Sequence, residues 1–133
     1  MTGNVLTAKY DTNGNQLWTA PYPSTSAAVD ASNNVFLTDS NLVKLNSVGT
    51  NVWAMTGENF FGNVIDVSVA VDSEGNSYLA GYTDYRPEVD SFPYFLLNWI
   101  KYNPNGVELW SVSNVIGNVS GGVPVIRCAA LDT

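Results

Sequence analysis

Short apolar stretches, separated by clusters of Asn, Asp, Ser, Thr and Gly, follow one another along the whole chain. Residues 4–10 and 16–20 flank the first such cluster, and residues 125–131 form the last apolar stretch. Apolar segments of this length that are bounded by turn-forming residues are typical of β-strands joined in hairpins. The pattern predicts an all-β protein with about eleven strands.

A ten-residue motif occurs three times, at residues 9–18, 44–53 and 101–110. Each copy begins with Lys, has Gly at the sixth place and ends with an apolar residue followed by Trp. The glycines are Gly14, Gly49 and Gly106, and the tryptophans are Trp18, Trp53 and Trp110. Asp or Asn followed by Gly between two apolar segments predicts a tight hairpin turn, in which the glycine supplies the positive φ.

A second motif alternates with the first, at residues 28–37 and 70–79, and residues 130–133 repeat its beginning. Each copy opens with Ala, an apolar residue and Asp. The aspartates are Asp30, Asp72 and Asp132. Because each follows an apolar stretch and precedes a polar one, we expect its carboxylate to accept backbone N–H groups in a turn.

The two motifs together define a repeating unit of four short strands. Lys44 follows Lys9 by 35 residues and Lys101 follows Lys44 by 57, and the longer unit contains a proline-bearing loop at residues 83–93. Four-stranded units of about 40–50 residues indicate β-propeller blades, which are antiparallel sheets. We therefore predict a single domain over residues 1–133. Its repeats are expected at about residues 4–40, 41–96 and 97–133.

The two motifs resemble the bacterial SBBP beta-propeller repeat, which carries Lys-Tyr-Asn/Asp-x-x-Gly-x-x-Leu-Trp and Val-Asp-x-x-Gly-Asn. The best agreement lies at residues 71–76, Val-Asp-Ser-Glu-Gly-Asn, followed by Gly-Tyr-Thr at residues 81–83. A weaker likeness exists to the NHL repeat and to the blades of quinoprotein-like propellers. The resemblance implies a propeller architecture and leans towards a secreted or cell-surface protein, although residues 1–4 show no signal peptide. It implies no particular ligand.

Composition narrows the classes of partner and of chemistry. The net charge is −7, with five Lys and Arg among 133 residues, which disfavours nucleic acid and anionic membranes as partners because both require clustered basic residues. The chain has no His, which removes catalytic triads and the usual zinc sites. The single cysteine, Cys128, allows no intrachain disulfide and is expected to be a buried thiol. We predict no catalytic residue, metal or cofactor, and an enzyme is the less favoured possibility.

The repeated side chains allow a structural and a functional interpretation. Trp18, Trp53 and Trp110 are expected to pack between blades or to cover a sheet edge; alternatively, they are a sugar-stacking platform. Residues 11–15, Asp-Thr-Asn-Gly-Asn, are similar to the start of a calcium loop but lack its closing Glu, which favours a turn. A glycoside-hydrolysing pair needs two carboxylates at a defined separation, and no spacing singles one out. The carboxylates considered for it are Asp66, Asp84, Glu88 and Asp90.

The strand count corresponds to just under three blades, whereas closed propellers have about four to eight. Either the chain is a fragment of a longer protein or copies of it assemble; we favour a homodimer with about six blades. The predicted function is a non-enzymatic propeller module that binds a ligand or a protein, or serves as a scaffold, through one ring face. The alternatives are a lectin-like carbohydrate-binding protein and, less favoured, a carboxylate-based enzyme that acts on glycosides.

Overall fold

A computed structural model of the chain describes residues 6–39, 41–55, 64–85 and 94–117. These residues form three antiparallel sheets, whose strands pair with their neighbours in sequence order. The first sheet contains β1 (Thr7–Tyr10) and β2 (Gln16–Ala20). The second contains β3 (Ser26–Val29), β4 (Val35–Thr38), β5 (Leu42–Leu45) and β6 (Asn51–Met55). The third contains β7 (Val64–Val71), β8 (Ser77–Tyr85), β9 (Tyr94–Tyr102) and β10 (Glu108–Gly117).

The predicted all-β architecture of four-stranded antiparallel blades is confirmed, with ten strands in the described part of the chain. The described residues hold no helix with the length and apolarity that a membrane span requires. Several sequence predictions concern residues outside the described ranges, or side chains that are not described. They are the strand at 125–131, Cys128, Asp132, Glu88 and Asp90, and the side chains of Asp66 and Asp84.

The boundaries of the sheets differ from the boundaries of the repeats that the sequence predicts. The repeat at 4–40 covers β1 to β4, whereas the first complete sheet runs from Ser26 to Met55. In each complete sheet, the turn of the Ala-Val-Asp motif joins the first and second strands, and the turn of the Lys-to-Trp motif joins the third and fourth. The sheets are therefore a half-step out of phase with the sequence units.

The second sheet is packed between the other two, so its two inner strands are buried on both faces. All residues of β4 and β5 are buried. Val35 and Leu37 face the first sheet together with Leu45, while Phe36 and Leu42 face the third. Because successive side chains of a strand point to opposite faces, this run of apolar residues supplies two cores at once. Two such interfaces stack the three sheets like consecutive blades.

The first strands of the two complete sheets lie side by side. The backbone N–H of Val69 in β7 donates to Ser26 Oγ in β3 at 3.2 Å. Each sheet then extends away from this line through its second, third and fourth strands. This is the arrangement of adjacent propeller blades, whose first strands line the ring axis.

Candidate functional site

Five tight turns lie at one end of the sheets, where they connect first to second and third to fourth strands. In each, the N–H of the fourth residue donates to the carbonyl of the first at 2.9–3.1 Å. We call the surface that they form the turn face. It consists of residues 11–14, 30–33, 46–49, 72–75 and 103–106.

The fourth position of every turn has a positive φ. Gly14, Gly49 and Gly106 have φ of +84°, +83° and +80°, a conformation that glycine adopts without steric strain. Gly75 has φ of +80°, and Asn33 occupies the equivalent place with φ of +64°. Asparagine is among the few other residues that tolerate this region, so one turn is built without the glycine that the others use.

Aspartates hold three of the turns from inside. Asp72 Oδ1 accepts the backbone N–H groups of Glu74 and Asn76 at 3.0 and 2.9 Å, and Oδ2 accepts Asn76 Nδ2 at 2.8 Å. Asp11 and Asp30 make the same three bonds with the residues two and four places on. These carboxylates are therefore engaged in turn structure, including the one in the calcium-like segment at residues 11–15.

The hydrogen bonds change the acidity of two of these groups. The side-chain bond from Asn15, followed by its backbone N–H, holds the pKa of Asp11 below its ordinary value. Partial burial pushes the pKa of Asp72 upward, but the bonds from Asn76, Tyr78 and Glu74 outweigh burial, and its pKa lies below the ordinary value. Both turns are therefore held by ionised carboxylates at neutral pH.

The in-register tryptophans fasten one sheet to the next. Trp18 Nε1 of the first sheet donates to the Ser47 carbonyl of the second at 3.0 Å, and Trp53 Nε1 of the second donates to the Pro104 carbonyl of the third at 3.0 Å. Ser47 and Pro104 are both the second residue of a turn. We call this contact, an indole N–H bonded to a turn carbonyl of the following blade, the latch.

Each latch has a glycine beneath the indole ring. A Cβ on Gly49 would lie 2.8 Å from the Trp18 ring, and one on Gly106 would lie 3.3 Å from the Trp53 ring and 3.1 Å from Met55. The motif glycines thus serve two purposes, the positive φ of the turn and the close approach of the ring. Only the first purpose follows from the local sequence.

The third tryptophan of the series has a different environment. Trp110 on β10 is 41% exposed and contacts Tyr78 edge-on, with ring centroids 6.1 Å apart. Among the described residues, its indole N–H has no hydrogen-bond acceptor. The structure thus places Trp18 and Trp53 between blades and leaves Trp110 partly exposed on the last of the described sheets.

The first-place lysines carry a role that sequence reasoning missed. Lys44 is 7% exposed; its Nζ donates to the Pro104 carbonyl at 3.0 Å and lies 5.0 Å from the Phe36 ring centroid. Lys9 Nζ reaches the Asn33 carbonyl of the next sheet at 3.0 Å. The recurrence of Lys at the start of all three copies of the motif marks the position in the sequence, but it does not reveal that the Nζ reaches the next sheet.

Lys101 instead interacts within its own sheet. Its Nζ lies 3.7 Å from Asp72 Oδ2 and 4.8 Å from the Tyr78 ring centroid. The hydrogen bond with Tyr78, together with the nearby Asp72 and Glu74 charges, outweighs desolvation and raises the pKa of Lys101. The ammonium group therefore stays charged beside Trp110.

A polar cavity of about 150 Å³ lies on the turn face between the second and third sheets. It is lined by the turns that begin at Asp30 and at Asp72, and by Lys44 and Pro104. Asp30 and Glu74 give it acidic walls, while the Lys44 ammonium is held by the Pro104 carbonyl. Small-molecule sites have about 300–1,000 Å³, so this cavity is a notch between two turns rather than a ligand pocket.

Comparison with known families bears on this architecture. The family model of the SBBP beta-propeller repeat matches residues 61–84. The chain carries an SBBP-type beta-propeller repeat. The matched residues include β7, the Asp72 turn and most of β8, so the SBBP signature is centred on an aspartate-held turn of the turn face. A search of curated proteins found no match. The resemblance drawn from the motifs is confirmed, and it concerns blade architecture.

Proposed function

We propose that this protein is a non-enzymatic propeller module that acts as a scaffold, presents its turn face to a ligand or protein partner, and completes its ring with copies of itself. The observation that carries the proposal is the latch. Trp18 and Trp53 join successive blades in the same direction and with the same acceptor position. An interface that repeats in this way suits the addition of further blades from another copy.

The turn face suits a partner-binding role because hydrogen bonds hold the interior of its turns, while the side chains on its exterior are exposed. The central residues of the turns are almost all exposed, among them Thr12, Ser32, Val48, Glu74 and Asn105. The latch uses turn carbonyls, not these side chains. Because the cavity on this face is small, we favour a protein partner that contacts several turns over a small-molecule ligand.

The carboxylates of the described turns support a structural role over catalysis. A glycoside hydrolase needs an acid and a second carboxylate that face each other across the substrate. Asp11, Asp30 and Asp72 instead each accept three hydrogen bonds from their own turn. Three of the about four acceptor positions of each carboxylate are thus used within the turn, which leaves little capacity for a catalytic acid or nucleophile.

The proposal is tested by the mass of the purified chain in solution, measured by size-exclusion chromatography with light scattering. We expect a single species near twice 14.3 kDa, which corresponds to a ring of about six blades. A chain that stays at 14.3 kDa at high micromolar concentration would overturn the self-assembly part of the proposal.

A lectin-like function is the second candidate, and the exposure of Trp110 favours it. An indole ring that lies open beside Lys101 and Tyr78 combines a stacking surface with polar groups, as sugar sites do. A glycan array with the native chain and with Trp110→Ala tests it. Binding that disappears in the variant would support the lectin, and no binding at high micromolar glycan would end it.

A further inference from the structure

Each of the two interfaces between sheets joins two different surfaces. The giving half carries the tryptophan whose indole N–H donates, and the receiving half carries the turn whose carbonyl accepts. At the second interface, Trp53 and Met55 of β6 form the giving half, and both are partly buried against the third sheet. The same places on β10 hold Trp110 and Val112, which are 41% and 48% exposed. The described part of the chain therefore carries a third giving half on β10. Its residues are more exposed than the equivalent residues on β6.

The first sheet carries a receiving half that is exposed. The residue at the end of the third strand is buried against the preceding sheet in both complete blades, with Leu45 at 0% and Tyr102 at 3% exposure. The equivalent Tyr10 is 56% exposed. Gly14 holds the place of Gly49 and Gly106 in its turn, yet a Cβ there would meet no atom within 4 Å.

We propose that these two halves bind each other between copies, with the Trp110 indole of one copy donating to the Thr12 carbonyl of a second and its ring seated on Gly14. Thr12 is the second residue of its turn, as Ser47 and Pro104 are in the two latches described above. Val112 and Tyr10 become buried in the same contact. This inference rests on the self-assembly in the proposed function and specifies its contact residues.

A second copy is the partner to which the observations point because this chain itself carries both complementary surfaces. The contact is head-to-tail, since the giving and receiving halves are different surfaces. It brings together an indole, a backbone carbonyl, an aliphatic side chain and a phenol ring. The charged side chain nearest to the indole is Lys101, which lies opposite Trp110. It is already 19% exposed beside Asp72, so the contact removes little further water from it.

Two variants test the contact from opposite sides. Trp110→Ala removes the indole. Gly14→Asn places a side chain where the indole ring would lie, and Asn tolerates the positive φ of this position, as Asn33 does at φ +64°. Gly75→Asn is the matched control, because Gly75 has φ +80° and its nearest contact is an ordinary one at 3.6 Å. Circular dichroism establishes that all three fold.

Analytical ultracentrifugation of these proteins gives the dissociation constant. We expect Trp110→Ala and Gly14→Asn each to weaken assembly by more than about 10-fold, as loss of a central tryptophan does at protein interfaces, while Gly75→Asn assembles like the native chain. If the native chain and both variants each assemble with the same dissociation constant, self-assembly is right but this contact is wrong. A native chain that is monomeric would mean that self-assembly itself fails.

Mixing the two variants tests the direction of the contact. Copies with Trp110→Ala keep Gly14, and copies with Gly14→Asn keep Trp110, so a mixed pair has one intact contact and each variant alone has none. We expect the mixture to assemble more tightly than either variant by itself. A mixture that is no tighter than its components would overturn the head-to-tail arrangement.

Discussion

Lys44 and Trp53 face each other on β5 and β6, and both donate to the same atom, the carbonyl oxygen of Pro104 in the next sheet. Each donor atom lies 3.0 Å from that oxygen. A carbonyl oxygen has two lone pairs and can satisfy both donors. One backbone atom therefore fastens the second blade to the third through two different side chains.

This shared acceptor predicts that the two donors are coupled. Lys44→Met and Trp53→Phe each leave the Pro104 carbonyl with one partner, whereas the double variant leaves it with neither. We expect the double variant to lose about 0.5–3 kcal/mol more free energy of unfolding than the sum of the single losses. Urea denaturation of the four proteins measures this. Additive losses would show that the two bonds act independently.

Gly49 and Gly75 make a matched pair that separates the two purposes of a motif glycine. Both have φ near +80°, so Ala at either place costs about 1–2 kcal/mol of conformational strain. A Cβ on Gly49 would also lie 2.8 Å from Trp18, whereas one on Gly75 would make ordinary contacts from 3.6 Å. We expect Gly49→Ala to lose about 1–3 kcal/mol more than Gly75→Ala, measured by urea denaturation. Equal losses would mean that the Trp18 ring moves aside freely.

The hairpins and their turn residues could be predicted from the sequence because each depends on local chemistry. Asx–Gly spacing defines a turn wherever it occurs, and Gly14, Gly49 and Gly106 have the conformation that it requires. The phase of the sheets could not be predicted in the same way. The motif that contains Lys44 and Trp53 belongs to the last hairpin of a sheet, but its sequence is equally compatible with the first.

The contacts between blades could not be predicted from the sequence, because they join residues that are far apart in the chain. The acceptor of Trp53 is a backbone carbonyl 51 residues away, and every non-terminal residue has such a group. Lys44 was not expected to be 7% exposed, since lysine is rarely buried. Its burial follows from the Pro104 carbonyl and the Phe36 ring, which only the stacking of the sheets brings to it.

The pKa of Asp72 predicts an acid-dependent contribution to stability. Its pKa is lower in the folded chain than the ordinary 3.8, so its ionised form stabilises the fold above pH 4 and that contribution disappears as pH falls through the folded pKa. Asp72→Asn should therefore cost about 1–3 kcal/mol at pH 7 and progressively less below pH 4. Unfolding by urea between pH 2 and pH 7 measures the difference.

Asp30→Asn is the control for the Asp72 experiment. Asp30 accepts the same three turn bonds, whereas Asp72 also binds Tyr78 at 3.0 Å and lies 3.7 Å from Lys101. The excess loss in Asp72→Asn thus reports the Tyr78 and Lys101 contacts. A loss at pH 7 that is no larger than that of Asp30→Asn would show that these contacts add nothing to stability.

The raised pKa of Tyr102 predicts that the free energy of unfolding decreases at alkaline pH. Burial, with the Glu108 charge adding to it, raises the pKa of Tyr102 to about 12 from an ordinary 10.0. The neutral phenol is thus favoured in the folded chain, and its contribution is complete below pH 10 and is lost as pH rises towards 12. Tyr102→Phe should flatten the decline in unfolding free energy between pH 9 and pH 11.5. An unchanged slope in the variant would assign the decline to other groups.

The acceptor in each latch belongs to the backbone, and this has a consequence for how such blades diverge. Ser47 and Pro104 fill the same position although their side chains have nothing in common. Mutational drift at the exposed turn positions therefore leaves the joint between neighbours intact, provided that the indole and the glycine are kept. A lineage of these proteins can therefore change the exposed turn side chains of one blade at a time without altering the way that its blades fit together.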